Sequence, residues 1–454
     1  ENTNVEVCKL ITNPFSTNIR DELDDFADQT KIVQETTTDW LAMQFTFQQL
    51  LQVFDSASVK LELKKDFQIL RRAGLDWEEL FAIPFEQSAL EFIADGKFQN
   101  NFAHISTSLE TITNGVYKYL EKRRLSFPRF YFLHDVELLS VLEHALKMHE
   151  HFDTHVHRIF PGIKTGTFDR SDRKKPILTQ VHSTSNETLT LLKPVSGGID
   201  FLPMVSRQIG VALRQIFSEA KILLKIGGGD ISLRSKEAIA LLVPVHMFST
   251  LVQCEFFMTI ERLLRSIDKT NERGSFIEQK PFKQSLESMS SKNMEMSTNL
   301  TINLRKLLTT GAYGLVSDLM EMRVRLARAE AILLHDLCAR DNIQSLIANN
   351  VHSIDHSEWS IRSKMSLTRG EGIMMNVGNI RIDYGFEYVG SNGMGAGHLV
   401  LSHTVMRCMW AIAHATQMLN CCALVHPTSQ GQLNLIQGMA AVCAIYSPSV
   451  KFSI

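Results

Sequence analysis

The sequence lacks a charge excess of either sign, a long hydrophobic run and a regular cysteine pattern. Its 454 residues carry 47 lysine and arginine residues against 49 acidic ones, a net charge of −2. No basic run is longer than Lys122-Arg123-Arg124. We therefore expect no nucleic-acid partner, because domains that bind nucleic acid concentrate positive charge on one face.

The absence of long apolar runs argues against membrane insertion. The most apolar run, Ala238 to Phe248, reaches about half of the roughly 20 residues that a span needs, and Pro244 and His246 interrupt it. The first twenty residues show no basic stretch followed by an apolar one, so we predict no secretory signal and expect an internal fragment. The seven irregularly spaced cysteines favour a reducing, cytosolic compartment.

The sequence is rich in helical periodicity, and its 44% hydrophobic content predicts a folded protein. Apolar residues recur every three or four positions over 40–70 and again over 102–120, where a long helix should end at Lys122-Arg123-Arg124. The aromatic run Arg129 to Leu133 predicts a buried strand or extended turn, with Phe130 to Phe132 in the core. Asp135 is expected to cap the helix that follows.

Strands are expected in two regions. Near the end of the chain, we expect the fold class to change. Between about residues 160 and 200 we predict short hairpin-like strands, and others at 374–377, 380–382 and 386–389. The remaining periodic stretches predict helices at 205–226, 238–266 and 304–348. The last residues predict a helix at 399–418, a strand-like run at 421–425, a turn, a helix at 432–442 and an extended stretch at 443–447. This order opens a parallel α/β domain, which we expect the chain to leave incomplete.

Four motifs then stand in a fixed order along the chain. They are the run from Lys122 to Leu133 with Glu137-Leu138-Leu139, the segment from Ala339 to Trp359, the run Tyr384-Gly385-Phe386-Glu387-Tyr388-Val389-Gly390, and Leu399-Val400-Leu401 with Arg407-Cys408. In this order they resemble the dynein heavy chain family, at its linker and the start of its first ring module. The resemblance covers roughly residues 40–454.

The resemblance implies a mainly α fold: an elongated multi-helix linker with small β-hairpins, followed by the truncated start of an α/β AAA+ module. It implies an entry segment at 1–39, the linker at 40–390, a glycine-rich connector at 391–398 and the first part of the first AAA+ module at 399–454.

The family's phosphate-binding loop falls on residues 426–433, which read His-Pro-Thr-Ser-Gln-Gly-Gln-Leu. Only Pro427 and Gly431 match the family pattern. His426 replaces a glycine that lets the backbone approach the phosphates, Gln432 replaces the lysine that neutralises them, and Leu433 replaces the hydroxyl residue that holds Mg²⁺.

The resemblance therefore predicts a degenerate Walker A loop, with no catalytic residue and no metal site. We expect no cofactor at this module, and ATP or ADP only in ring modules beyond this chain. Leu399 and Val400 match the start of the family's adenine pocket, so weak nucleotide binding stays an open alternative.

Two other patterns have simpler explanations than a site. The histidines between His144 and His157 could suggest a metal site, but no cysteine or carboxylate pair at suitable spacing completes one. Gly227-Gly228-Gly229 lacks the Lys-Ser/Thr pair of a phosphate loop, so we interpret it as a connector between helices.

Three functions follow as hypotheses. The first is a non-motor, dynein-like component of a ciliary or flagellar axoneme, resembling divergent dynein-heavy-chain-domain-containing proteins. The second is a microtubule motor whose other AAA+ modules hydrolyse ATP and move the linker, and the third is a helical interaction platform unrelated to any ring. The first implies as partners the rest of the ring, axonemal proteins, microtubules and dynein light or intermediate chains, with no membrane. The implied location is the cytoplasm, the cytoskeleton and the axoneme.

Overall fold

The computed structural model is mainly α-helical and contains two three-stranded antiparallel sheets, which confirms the predicted fold class. Residues 1–146 and 147–454 form separate compact units, and the domain boundaries given above stay predictions. The structure describes residues 2–223, 243–272, 319–390, 402–425 and 431–448, apart from gaps at 56, 82–92, 94–95, 172–175, 185–186, 352 and 369–371, together with isolated residues between 284 and 306.

The first unit consists of helices. They are α1 (Asn2–Ile11), α2 (Arg20–Val53), α3 (Ala57–Glu62), α4 (Lys64–Phe81), α5 (Gly96–Ser126) and α6 (Asp135–Glu143). Helices α2 and α4 pack through aromatic rings: Trp77 lies 6.5 Å from Trp40 and stacks on Phe47 at 5.6 Å, and Phe67 lies 5.8 Å from Phe54. The helical periodicity predicted for this region is thus confirmed.

Helix α5 carries the buried stripe that its sequence predicts. Ile105, Leu109, Ile112 and Val116 recur three or four residues apart and are all buried. The helix ends at Ser126, two residues beyond the predicted end at Arg124, and its basic last turn suits the negative end of the helix dipole.

The prediction of a buried strand or extended turn after α5 is wrong. Pro128–Phe132 forms a 3-10 helix, because Pro128 fixes a helical φ at its first position. Phe130 is buried, but Tyr131 and Phe132 are about half exposed, so only one of the three rings belongs to the core.

The predicted cap of α6 is displaced by one residue. His134 is the N-cap: its Nδ1 accepts a hydrogen bond from the Val136 N–H at 3.4 Å, and the Glu137 carboxylate accepts from the His134 N–H at 3.3 Å. Asp135 instead forms an ion pair with the buried Arg124 of α5. This contact ties the end of α5 to the start of α6.

The second unit combines helices with both sheets. Its helices are α7 (Met148–Ile159), α8 (Phe201–Leu223), α9 (Val245–Glu272), α10 (Leu319–Ala348), α11 (Ser357–Ser360), α12 (His403–Gln417) and α13 (Gln432–Val442). Its strands are β1 (Ile163–Asp169), β2 (Ile177–Ser183), β3 (Thr188–Ser196), β4 (Ser363–Leu367), β5 (Ile373–Val377) and β6 (Ile380–Asp383). None of the described helices is long and apolar enough to cross a membrane.

Both sheets are antiparallel meanders, in the orders β1-β2-β3 and β4-β5-β6. The hairpins predicted near 160–200 and the strands predicted at 374–377 and 380–382 are confirmed. Strand β4 was not predicted. One core cluster of this unit lies between α9 and α10 and encloses Trp359, which is 2% exposed.

Three predicted extended stretches do not form strands. Residues 386–389 leave the sheet because Phe386 adopts a left-handed φ of 53°. Residues 421–425 and 443–447 join neither of the two described sheets. A parallel strand forms only beside a neighbouring strand that makes hydrogen bonds to its backbone N–H and C=O groups. The described residues place no such strand next to 421–425. The helices of this region are confirmed at 403–417 and 432–442, whereas 399–401 lie outside the described residues.

Candidate functional site at the junction and the predicted nucleotide loop

The residues that follow strand β6 form the junction segment, which we define as Tyr384–Gly390. Its side chains alternate, and Tyr384, Phe386 and Tyr388 are buried. The rings of Tyr384 and Phe386 meet edge to face at 4.9 Å, and Phe386 meets Phe217 of α8 at 6.2 Å. One face of the segment therefore belongs to the core of the second unit.

Glu187 connects this segment to the rest of the unit. Its Oε1 accepts a hydrogen bond from the N–H of Val245, the first residue of α9, at 3.0 Å, and another from Nε of Arg328 in α10 at 3.2 Å. Its backbone carbonyl accepts a hydrogen bond from the Tyr388 hydroxyl at 3.3 Å. This residue, 1% exposed, thus joins the β2–β3 turn, two helices and the junction segment.

The Glu187 side chain is shielded from solvent. Burial raises the pKa of the Glu187 carboxyl, and the Arg328 guanidinium and the Val245 N–H oppose that shift. Its Oε2 has no hydrogen-bond partner among the described residues. Burial also raises the pKa of Tyr388, so its phenol stays protonated and donates to the Glu187 carbonyl.

His246 lies beside this polar cluster in its neutral form. The side chain is buried, and burial lowers its pKa to about 3. Neither ring nitrogen has a hydrogen-bond partner in the described part of the chain. The ring stands edge-on to Tyr388, with centroids 5.5 Å apart. Protonation would place an unpaired charge in the core, which is strongly unfavourable.

Glycines allow the junction segment to lie directly against neighbouring backbone. A Cβ at Gly162 would overlap the carbonyl oxygen of Tyr388. Gly390 adopts a φ of 70°, and a Cβ there would lie 3.2 Å from Cβ of Ser183. The segment is therefore enclosed by backbone that cannot move aside as a flexible side chain could.

The outer edge of the junction segment pairs with the end of α13. The N–H of Gly385 donates to the Cys443 carbonyl at 2.9 Å, and the N–H of Glu387 donates to the Ala444 carbonyl at 3.0 Å. Burial raises the pKa of the Cys443 thiol to about 12. The same short segment thus contacts both the helical elements around Glu187 and the last described helix.

The described residues of the predicted nucleotide loop, Gly431 to Leu433, lie at the other end of α13. Gly431 is the N-cap with a left-handed φ of 80°, and its carbonyl accepts the first helical hydrogen bond from the Leu435 N–H at 3.0 Å. Gln432 and Leu433 are the first two helical residues, and the Leu433 side chain is 45% exposed. Gly431, Gln432 and Leu433 are thus together at a helix N-terminus.

The other predicted site residues lie outside the described residues: His426, Pro427, Leu399 and Val400. Gly227-Gly228-Gly229 lies outside them as well. No group of three or more His, Cys, Asp or Glu residues in the described part of the chain could hold a metal ion.

The donor set at the start of α13 does not fit Mg·ATP. A left-handed glycine followed by a helix N-terminus offers backbone N–H groups to an anion. The next two side chains, however, are an uncharged amide and an aliphatic group, so neither a lysine cation nor a metal-binding hydroxyl follows Gly431. We derive no nucleotide chemistry from this site, and the predicted loss of nucleotide binding stays a prediction.

Sequence reasoning missed the residues that hold the junction segment. Glu187, Arg328 and His246 carry no motif, and they are far apart in the sequence. Of the residues in these contacts, only Tyr388 lies in a motif of the sequence, the run Tyr384 to Gly390. The contacts become visible only when α9, α10 and the β2–β3 turn meet.

Comparisons with known proteins place these features in a family. The family model described as dynein heavy chain, N-terminal region 2, matches residues 1–220. The chain is 23% identical over 446 residues, 95% of its length, to "Dynein axonemal heavy chain 1" of Rattus norvegicus. It is 21% identical over 417 residues to "Dynein beta chain, flagellar outer arm" of Chlamydomonas reinhardtii, and 19% identical over 441 residues to "Dynein heavy chain, cytoplasmic" of Paramecium tetraurelia.

These matches support the assignment of the chain to the dynein heavy chain family. The chain covers 9%, 8% and 9% of the lengths of these three relatives, so it corresponds to a small part of a dynein heavy chain. The family model ends within α8, whereas the likeness to the rat dynein extends over 95% of the chain. Most of the second unit therefore resembles a dynein heavy chain by pairwise similarity alone.

Proposed function

We propose that this chain is the linker and the first part of the first AAA+ module of a non-motor, dynein-like component of an axoneme. In this role the helical body transmits no force of its own, because the first module does not hydrolyse ATP. A nucleotide can shift the posture of a linker only if it binds two postures with different affinity. A module that does not bind nucleotide cannot provide that difference.

The observation that carries this proposal is the pair of residues after Gly431. Gln432 and Leu433 occupy the first two positions of α13, where active loops place a lysine and a hydroxyl residue. Losing one charge-assisted contact to phosphate weakens binding by about 1.5–3 kcal/mol. The loss of the metal-binding oxygen weakens nucleotide binding further.

The junction segment supports a fixed posture. Its ring face is buried, and Glu187 ties it to α9 and α10 through hydrogen bonds of 3.0 and 3.2 Å. We propose that these contacts hold helices α9 and α10 and the start of the module in a single arrangement.

We assign the location and partners from the names of the relatives. Two of the three proteins compared above are named as axonemal or flagellar dyneins and one as cytoplasmic. The proposed location is thus the cytoskeleton of a cilium or flagellum. The proposed partners are the rest of the dynein-like ring, axonemal proteins, microtubules and dynein light or intermediate chains.

A nucleotide titration on a chain with a complete first module tests the proposal. We expect no saturable ATP binding below millimolar concentration and no phosphate release. The double variant Gln432→Lys, Leu433→Thr should raise the affinity, because it returns the cation and the hydroxyl. Micromolar binding with turnover by the unmodified protein would refute the non-motor function.

The second candidate is a motor whose other AAA+ modules hydrolyse ATP. It is favoured by the names of the relatives, which are all dynein chains. Microtubule gliding with ATP would separate the two functions: movement by the full protein supports the motor, and binding without movement supports the non-motor component.

A further inference from the structure

Three parts of the second unit surround a cavity of about 710 Å³: helix α12, the turn between β5 and β6, and residues 422–424. The chain reverses after α12, where Leu419 adopts a left-handed φ of 55° and the Asn420 N–H donates to the Ala415 carbonyl at 2.8 Å. This reversal returns residues 422–424 to the side of α12, where they form one wall of the cavity. The volume lies in the range of small-molecule sites, about 300–1,000 Å³.

Trp410 contributes a flat surface to this cavity. Its indole ring stacks on the His414 imidazole, with centroids 5.4 Å apart and planes 26° from parallel. A Cβ at Gly378, in the β5–β6 turn, would lie 3.2 Å from Cδ1 of Trp410, so the turn lies directly against the ring edge. Trp410 is nevertheless 43% exposed and lines the cavity. The indole is thus held in place while part of its surface is open to a ligand.

Arg407 gives the cavity a positive charge. It precedes Trp410 on α12 at the i, i+3 spacing, which places two side chains on the same face of a helix. None of the described residues that line the cavity is an Asp or Glu, and α12 itself contains neither. Arg407 is exposed and forms no ion pair with a carboxylate of the described residues. Its cation is therefore available to an anionic ligand.

The remaining walls of the cavity are largely apolar. Ile361, Met406, Ala411 and Leu424 line it, between a few polar groups such as the Asn379 amide. Small-molecule sites share this composition, because apolar side chains supply most of the contact and a few polar groups fix the orientation of the ligand. A matching ligand has apolar ring surface and one negative charge.

We propose that this cavity binds a planar aromatic anion, with its ring system against Trp410 and its carboxylate on Arg407. Aromatic rings make favourable offset-stacked or edge-to-face contacts with an indole, and a guanidinium matches a carboxylate through two parallel N–H donors. None of the described loop residues Gly431 to Leu433 lines the cavity, so the inference does not depend on the nucleotide loop. Because the cavity is open and an exposed ion pair contributes little, we expect a dissociation constant of roughly 0.1–1 mM.

Isothermal titration calorimetry of the whole chain with naphthalene-2-carboxylate tests the proposal. We expect saturable binding with the dissociation constant given above. The uncharged naphthalene-2-carboxamide keeps the rings and loses the charge, so it should bind about three- to fivefold more weakly. Decanoate keeps the charge and loses the rings, so it should bind at least about threefold more weakly.

Two substitutions on α12 separate the charge from the ring contact. Arg407→Gln should weaken binding of the carboxylate about three- to fivefold and leave binding of the carboxamide unchanged. Trp410→Leu should weaken binding of both probes at least about threefold. The matched control is Arg381→Gln in β6, an exposed arginine that does not line the cavity and gives the same change of net charge as Arg407→Gln. It should bind both probes like the unmodified chain, and circular dichroism shows whether each variant retains its helices.

Two adjacent cysteines locate the bound probe. Cys422 lines the cavity, whereas its exposed neighbour Cys421 does not. In Cys421→Ser, naphthalene-2-carboxylate at about ten times its dissociation constant should slow the alkylation of Cys422 by iodoacetamide by up to about tenfold, because the occupied site excludes the reagent. In Cys422→Ser, the alkylation rate of Cys421 should change clearly less. Mass spectrometry measures both rates, with the exposed Cys8 as the reference.

Four results would overturn the proposal: no saturable binding of naphthalene-2-carboxylate, equal affinity for the carboxamide or for decanoate, equal weakening by Arg381→Gln, or equal protection of Cys421 and Cys422. Competition by ATP would also overturn it, because the cavity would then belong to a nucleotide site. That last result would count against the proposed function as well, whereas a failure of naphthalene-2-carboxylate to bind would leave the proposed function unaffected.

Discussion

The two ends of α13 differ in how their surroundings constrain them. At its C-terminal end, the Cys443 and Ala444 carbonyls accept hydrogen bonds from a buried junction segment that is held by Glu187. At its N-terminal end, no described atom lies within 4 Å of a Cβ built at Gly431, and Leu433 is 45% exposed. Among the described residues, the first end is thus more tightly packed than the second. Changes at the start of α13 are therefore expected to leave the junction segment intact.

Removing the Glu187 side chain should give the largest effect. Glu187→Ala removes the carboxylate that accepts from the Val245 N–H and from Arg328 at a site that is 1% exposed. Removal of one member of a buried ion pair costs about 3–5 kcal/mol. We expect the free energy of unfolding of the second unit to fall by about that amount, measured by urea denaturation.

Glu187→Gln is the matched control for this prediction. The amide oxygen retains an acceptor for the Val245 N–H and the shape of the side chain, so the loss should be clearly smaller than for alanine. Equal effects of alanine and glutamine would show that only the charge matters, and no effect of alanine would show that the junction segment does not depend on Glu187.

A pair of glycine substitutions compares the two regions directly. Gly162→Ala places a methyl group against the Tyr388 carbonyl, where backbone must shift, and should cost about 2–3 kcal/mol. Gly431→Ala meets no described atom within 4 Å, so we expect a cost set by the left-handed φ of 80°, about 1–2 kcal/mol.

Thermal melts of both glycine variants measure the difference. The melting temperature should fall more for Gly162→Ala than for Gly431→Ala. Hydrogen exchange should increase at residues 384–390 only in the first variant. The reverse order would mean that the start of α13 is as tightly packed as the junction segment.

The sequence predicted the elements of this molecule better than their contacts. Helix α5 could be predicted because its apolar stripe and basic end are local signals, and the hairpins near 160–200 because alternation and glycines are local too. The strand predicted at 386–389 was wrong because one left-handed residue, Phe386, is not visible in apolar alternation.

The junction could not be predicted for a similar reason. Glu187 and Tyr388 are 201 residues apart, and only the folded chain places the hydroxyl of one on the carbonyl of the other. Gln432 and Leu433 could be predicted to replace the lysine and the hydroxyl residue of a phosphate-binding loop, because that loop is a local sequence pattern.

The smallest predicted effect concerns pH and distinguishes the junction from exposed parts of the molecule. Burial lowers the pKa of His246 to about 3, below its unfolded value of about 6.5. Between these values the unfolded chain binds a proton that the folded chain does not, so stability is complete above pH 6.5 and falls as the pH is lowered towards 3.

The slope from this one group is about 1.4 kcal/mol per pH unit. Because acid also affects other parts of the chain, the measurement is the difference between the unmodified chain and His246→Phe, from urea denaturation at pH 7.5, 6.5 and 5.5. The unmodified chain should lose more stability between pH 6.5 and 5.5 than His246→Phe does, with little difference between the two slopes above pH 6.5. Parallel profiles over the whole range would mean that His246 accepts a proton in the folded state, and that the ring is not sealed against Tyr388 as the structure has it.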